Sequence, residues 1–243
     1  MNDYELLKKI EGIELPLHVG IIIDGNRRWA RKHILNAFNG HEKGFDILKK
    51  IIKFTFKTGI KFLSIYCLSM ENLKRKEGEV KHLFKLLKKG LKELREDKDL
   101  KEDEVKINII GRTHLLSEEL QEEIRQTQEL TKDYNKLTLN LCIAYNGQDE
   151  IVDAVKTMIN KGLTSNDLNR ETIKKHLYTK DSPELDLIIR TGMKDGARIS
   201  GFLVWDASYA EFIFRDEYWP EYTNEMLIQD LVEYSRRNRR RGK

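Results

Sequence analysis

The sequence predicts an α/β fold: an open, mostly parallel sheet of six strands flanked by helices, in a single domain spanning 1–243. Three observations predict it. Short runs rich in Val and Ile recur and are apolar on both faces, as strands covered on two sides must be. Longer stretches between them carry apolar residues at helical spacing. No Gly/Ser tract divides the 243 residues and only three are proline, so nothing marks a linker. Strand alternating with helix is the pattern of a parallel sheet with helices on both faces.

In chain order, residues 1–17 read as an N-terminal helical segment. "HVGIIID" (18–24) is the first strand and "KFLSIYCLS" (61–69) the second. The helix between them, 40–57, places Ile47, Leu48, Ile51, Ile52 and Thr55 on one stripe. Residues 79–96 do the same with Val80, Leu83, Phe84, Leu87, Leu91 and Leu94. "VKINIIG" (105–111) is the third strand. A helix over 117–130 starts at Ser117, a residue type that caps N-termini. "LTLNLCIAYN" (137–146) and "LDLIIRT" (185–191) are further strands, separated by helices at 148–160 and 165–177. "GFLVW" (201–205) is either the sixth strand or the lead into "EFIF" (211–214). The last helix, 223–237, runs into a basic tail, 236–243.

Composition narrows the function. Hydrophobic residues make up 40% of the chain, enough for a sizeable core. The net charge of +4 favours anionic ligands without demanding nucleic acid. Cys67 and Cys142 sit inside apolar runs and read as buried thiols. No CxxC or His/Cys cluster suggests zinc. No apolar stretch approaches the roughly 20 residues that span a bilayer, and "MNDYELLKKIEGIEL" lacks the apolar core of a signal peptide. A cytoplasmic protein is expected, with peripheral membrane contact left open.

Four clusters carry the chemistry. In "DGNRRWA", Asp24 stands at the carboxyl end of the first strand, where open parallel sheets bind ligands. Gly25 permits a tight turn, the N–H groups of 25–28 can face an anion, and Arg27 and Arg28 suit phosphate. A carboxylate beside a phosphate site points to Mg²⁺ bridging the two. The plainer reading is a turn with surface arginines and Asp24 as a helix cap. "SMENLKR" places Ser69, Glu71, Asn72 and Arg75 at the next strand end, as a catalytic loop or an ordinary capped loop. In "LDLIIRTGMKDGARISGFLVWDASYAEFIF", Arg190 ends a strand, Arg198 and Ser200 follow a glycine-containing loop, and Glu211 lies in an apolar setting. A carboxylate there must bind metal or pair with an arginine. The tail "YSRRNRRRGK" suits nucleic acid, anionic lipid or a solvated helix end. No Walker or dinucleotide glycine motif is present.

Taken together, "HVGIIIDGNRRWA", "GHEKG", "YCLSMENLKR", "LDLIIRTG", "RISGFLVWDASYAEF", "YWPEY" and the final "RRRG" resemble the cis-prenyltransferase family, the undecaprenyl diphosphate synthases. The resemblance runs from about His18 to Gly242. It implies a homodimer with an apolar tunnel in each subunit, and Mg²⁺-dependent condensation of isopentenyl diphosphate onto an allylic diphosphate such as farnesyl or geranylgeranyl diphosphate. By position, Asp24 is the catalytic carboxylate and metal ligand, and Glu211 the second metal position. Gly25, Asn26, Arg27 and Arg28 cradle the allylic diphosphate, with Trp29 and His41 nearby. Asn72 matches the asparagine assigned to proton removal or substrate orientation, among Ser69, Met70, Glu71 and Arg75. Arg190, Arg198, Ile199 and Ser200 match the isopentenyl diphosphate site. Arg240 and Gly242 match a C-terminal motif that reaches a neighbouring subunit.

Four departures favour an archaeal-type member: Ala37 where the family often has Arg, Leu73 where a Trp usually stands, Arg27 where bacterial members usually have Gly, and a loop between Arg190 and Arg198 longer than in bacterial members. The stripes of 40–57 and 79–96 would line the tunnel, or serve as ordinary core. Two other classes remain. An RNA-binding protein would explain the tail, but stacking positions and base-reading loops are missing, so no nucleic acid is expected. A non-catalytic family subunit is disfavoured by the retention of Asp24, Asn72 and Glu211.

Overall fold

The computed structural model describes residues 2–194 and 196–237. All six strands run parallel: β1 (His18–Ile22), β2 (Phe62–Ser69), β3 (Val105–Ile110), β4 (Leu137–Tyr145), β5 (Leu187–Arg190) and β6 (Glu211–Phe214), in the order β3-β4-β2-β1-β5-β6. The sixth strand is therefore "EFIF". "GFLVW" is a run of turns instead, and it buries Phe202 and Leu203 completely.

Alternation along the strands builds two cores. Ile21, Ile65, Ile109, Leu141 and Ile189 face one, with Ile51, Ile52, Leu91, Leu120 and Leu231 from the helices. Ile22, Tyr66, Ile110, Cys142 and Ile188 face the other, where Phe202 stacks on Tyr66 with ring centres 5.1 Å apart. Both faces are buried, which is why these strands read as continuous apolar runs.

The helices are α1 (Asp3–Lys8), α2 (Asn26–Lys32), α3 (Ala37–Lys57), α4 (Glu77–Glu96), α5 (Lys98–Glu102), α6 (Glu118–Thr131), α7 (Gly147–Asn160), α8 (Arg170–Lys174) and α9 (Asn224–Arg236). Three differ from expectation. The helical N-terminal segment shrinks to α1, capped by a reciprocal pair of hydrogen bonds between Asn2 and Glu5. The helix expected over 165–177 splits into a short 3-10 turn and α8, because the Asn169 side chain accepts from Thr172 N–H at 2.9 Å and starts a new helix. Ser117 does precede α6, but its side chain makes no capping hydrogen bond.

The chain leaves β1 towards β2 and leaves β5 towards β6, although β1 and β5 are neighbours. A crevice opens beyond such a pair, at their carboxyl ends. Helix α2 begins there. It lies so close to α3 that a methyl group on Gly44 would come within 2.1 Å of Asn26 Oδ1, and one on Gly40 within 2.2 Å of the Asn26 carbonyl. The "GHEKG" spacing is thus a packing requirement. At its other end, α2 stops with Ile34 in the left-handed region, φ 59°, where Leu35 N–H bonds back to Ala30 O at 2.8 Å. Glycine normally occupies that position. A β-branched residue there costs about 1–2 kcal/mol.

Beneath the crevice, a polar chain crosses the sheet. His18 bonds to Pro183 O at 2.8 Å and Ser64 Oγ at 2.7 Å, and Asn140 Nδ2 donates to Ser64 Oγ and Ser182 Oγ, both at 3.0 Å. A carbonyl only accepts, so His18 Nδ1–H donates to Pro183 O. Burial pushes the imidazole pKa below the usual value, which favours the neutral ring.

Candidate active site

The crevice is a cavity of about 770 Å³. Asp24 follows β1 and lies at its centre. Its Oδ2 accepts from Arg190 Nη2 at 2.9 Å, and its Oδ1 forms an ion pair with Arg28 Nη2 at 2.9 Å. The two arginines come from different elements, Arg190 from the end of β5 and Arg28 from the first turn of α2. One carboxylate thus joins two cationic groups. Thr191, just past β5, braces the Asp24 backbone by donating its hydroxyl to Asp24 O at 2.8 Å.

Gly25 starts α2 at φ 108°, and a side chain there would strike Tyr218 at 2.7 Å. No side chain caps this turn, so its N–H groups remain open to an anion. Arg28 also donates to Gly192 O at 2.7 Å and lies over the Tyr218 ring at 5.4 Å. Arg190 is buried and donates to Arg198 O at 2.7 Å and Ser200 Oγ at 2.8 Å. Two buried polar atoms here, Arg190 Nε and Asn26 Oδ1, have no hydrogen-bond partner within the protein. Such deficits are rare in folded proteins and mark places where a ligand or water completes the set.

Ser69 and Asn72 cap each other. Asn72 N–H donates to Ser69 Oγ at 3.3 Å, and Ser69 N–H donates to Asn72 Oδ1 at 3.2 Å. The amide oxygen is therefore occupied, and Asn72 offers the cavity its NH₂ donors. Beside it, Asn146 Nδ2 donates to Glu71 Oε1 at 3.1 Å. Burial opposes ionisation of Glu71, but hydrogen bonds from Ser69, its own backbone and Asn146 hold its carboxyl below the usual range. Burial pushes the Cys67 thiol up to about 12, so it stays protonated.

Glu79, in the first turn of α4, takes Arg75 at 2.9 Å, His41 at 3.2 Å and Arg27 at 3.8 Å on one oxygen. Burial pushes the His41 imidazole below its ordinary value, against the pull of Glu79. Nothing in the sequence singled out Glu79, a glutamate on a highly charged helix. Asn146 and Gln148 also line the cavity unanticipated. Asn146 follows β4 directly, and the strand-end rule that marked Asp24 would have found it.

The structure brings Asp24, Gly25, Asn26, Arg27, Arg28, His41, Ser69, Glu71, Asn72, Arg75, Arg190, Ile199 and Ser200 to this one cavity. Other residues lie outside it. Trp29 is absent from the cavity lining and packs its ring, tilted, against His33 with centres 4.4 Å apart. Met70 packs against the core. Arg198 contributes its carbonyl, while the residue itself is exposed. Glu211 opens β6 opposite Leu187, three residues before Arg190 in register, and pairs with Arg237 at 2.9 Å. Within one chain it is therefore held away from Asp24, at the far end of a strand step of about 10 Å. Arg240 and Gly242 lie outside the described residues.

Among the described residues, no three His, Cys, Asp or Glu side chains converge as a metal cage. Mg²⁺ needs none when diphosphate is present: one or two carboxylates, phosphate oxygens and water complete its shell. Asp24, a hard oxygen donor facing the cavity between cations, fits that role. Behind the polar cavity, and sharing Ile23, Asn26, His41, Cys67, Leu68 and Leu83 with it, lies an apolar pocket of about 80 Å³ between α3 and α4.

A diphosphate-sized cationic cavity joined to an apolar pocket, at the switch point of a parallel sheet, defines a transferase acting on diphosphate esters with oily tails. The family model described as "Putative undecaprenyl diphosphate synthase" matches residues 22–242. The tritrans,polycis-undecaprenyl-diphosphate synthase (geranylgeranyl-diphosphate specific) of Pyrococcus furiosus is 38% identical over 242 residues, covering 98% of this chain and 91% of that one. The enzyme of the same name from Methanocaldococcus jannaschii is 39% identical over 244 residues, covering 98% and 86%. The crystal structure of lavandulyl diphosphate synthase from Lavandula x intermedia, in complex with dimethylallyl diphosphate, superposes with a TM-score of 0.85 at 30% identity, covering 94% of this chain and 99% of that one. The chain belongs to the undecaprenyl diphosphate synthase family, the cis-prenyltransferases.

Proposed function

We propose that the protein uses Mg²⁺ to condense isopentenyl diphosphate repeatedly onto geranylgeranyl diphosphate, releasing a long-chain polyprenyl diphosphate that serves as precursor of a lipid glycosyl carrier. One observation carries this reading. Asp24 stands between Arg28 and Arg190, 2.9 Å from each, so two diphosphates can lie side by side about one carboxylate. The specificity in the names of the archaeal relatives supports the primer.

The allylic diphosphate binds at the start of α2, against Arg27 and Arg28, with its tail in the apolar pocket between α3 and α4. That pocket is the beginning of the tunnel. Isopentenyl diphosphate binds against Arg190 and Ser200. Breaking the allylic C–O bond places charge on the departing diphosphate, and the two α2 arginines stabilise it. When bound by Asp24 and the diphosphate oxygens, Mg²⁺ supplies further neutralisation of that charge. Holding both substrates by their diphosphates brings the isopentenyl double bond onto the allylic carbon. The C–C bond forms, a proton leaves the isopentenyl unit, and a diphosphate oxygen receives it. Asn72 orients substrate through its NH₂ group, since its oxygen is already held by Ser69 N–H. Two subunits pair. The enzyme works on the cytoplasmic side of a membrane.

Purified protein incubated with radiolabelled isopentenyl diphosphate and geranyl, farnesyl or geranylgeranyl diphosphate tests the proposal. The expected result is a long-chain product, made best from geranylgeranyl diphosphate and abolished by EDTA. No elongation from any primer would overturn the activity; preference for a shorter primer would overturn the specificity. Light scattering after gel filtration reads the subunit number.

A further inference from the structure

Residues 31–36 are exposed without a break, and the first of them, Arg31, lines the active-site cavity. Three of the chain's exposed large hydrophobic residues fall within five positions here: Ile34 at 96%, Leu35 at 45% and Phe38 at 40% exposure. Ile34 also holds the left-handed conformation where glycine would be free of strain. Both the exposure and the strain disfavour this side chain, and nothing among the described residues compensates either. Phe38 is braced by stacking on His82 at 4.4 Å. Around this apolar tip stands a basic collar. Arg27, Arg28, Arg31 and Lys32 precede it; Arg27 pairs with Glu79, Arg28 with Asp24 and Lys32 with Glu221, while Arg31 is exposed with no carboxylate partner among the described residues. A shallow hollow of about 470 Å³ joins Ile34, Leu35 and Ala37 to Arg27 and Arg31, which also line the catalytic cavity.

We propose that the 33–38 loop is a membrane anchor: Ile34, Leu35 and Phe38 enter an anionic bilayer surface, while Arg31 meets its phosphates. Exposed apolar side chains beside exposed cations, Arg31 having no carboxylate partner among the described residues, are complementary to that surface. The placement rests on the proposed reaction for its use. A polyprenyl product has a tail that water rejects, and an anchor beside the cavity lets it pass directly into the lipid. The binding itself needs no substrate, so it is tested apart from turnover.

The full chain is sedimented, without substrate or Mg²⁺, with vesicles of phosphatidylcholine alone or mixed with phosphatidylglycerol. Binding to the mixed vesicles is expected, weakened by salt and weak on the neutral ones. Ile34→Gly combined with Leu35→Ser should reduce partitioning by about tenfold. Ile34→Gly alone should weaken binding too, while its melting temperature stays the same or rises, because it relieves the left-handed strain. Undiminished binding by the double variant overturns the proposal, as does failure of the native chain to bind. Loss of the dimer in the double variant would also overturn it, by assigning the loop to a second copy of the chain.

Discussion

Arg190 Nη2 stands 2.9 Å from Asp24 Oδ2, joining the ends of neighbouring strands β5 and β1 across the mouth of the cavity. Arg190 is almost fully enclosed, so Asp24 balances a buried charge as well as serving chemistry. Asp24→Ala should lower kcat at least about 10²-fold and also cost about 2 kcal/mol of stability, since an enclosed guanidinium loses a charged hydrogen bond. Initial rates and urea unfolding measure the two effects. Normal elongation by the variant would exclude the carboxylate from the reaction.

Asn72→Asp keeps an acceptor for Ser69 N–H, so the turn should fold unchanged. It removes the NH₂ donors and sets a negative charge against diphosphate. We expect turnover to fall by about 10²-fold or more with an unaltered melting temperature. Full turnover would rule out a specific amide role.

Leu87 and Leu91 line the apolar pocket between α3 and α4. Leu87→Trp should shorten the product, because the growing chain meets the indole where the pocket continued. Leu91 is 1% exposed, so Leu91→Trp also strains the core by about 1–3 kcal/mol. Chromatographic sizing decides: an unchanged chain length in Leu87→Trp would mean the stripe is core alone.

Glu79 holds Arg27, His41 and Arg75 from three different segments. Glu79→Ala should release all three and raise the allylic KM by about tenfold, with less effect on kcat. An unchanged KM would reduce Glu79 to a surface ion-pair residue.

Burial holds the His18 imidazole below its ordinary 6.5. The unfolded chain therefore binds this proton more readily than the folded one. Its contribution to stability is complete above pH 6.5 and is lost as the pH falls through the folded value. His18→Gln should be less stable at neutral pH by about 1–3 kcal/mol, yet lose less stability than the native protein on acidification below pH 6.5. Urea unfolding at several pH values reads the slopes. Parallel slopes would show that His18 does not titrate.

The sequence by itself determined the sheet, its parallel sense and most of the site. Strands buried on both faces must be apolar throughout, and the residues just past their ends are free to be polar, so Asp24, Ser69 and Arg190 stand out in the text of the chain. Local hydrogen bonds decided what periodicity could not: Asn169 restarts a helix within a helical pattern, and "GFLVW" turns because Phe202 packs onto Tyr66. Only the tertiary structure showed Glu79 as the hub of three cations, Asn72 as a donor, Glu211 paired with Arg237, and Ile34 strained beside the cavity. These depend on which distant segments meet, and on which atom of each polar group is already engaged. Spacing along a chain carries neither, because a charged residue on an amphipathic helix looks the same whether it faces water or three partners.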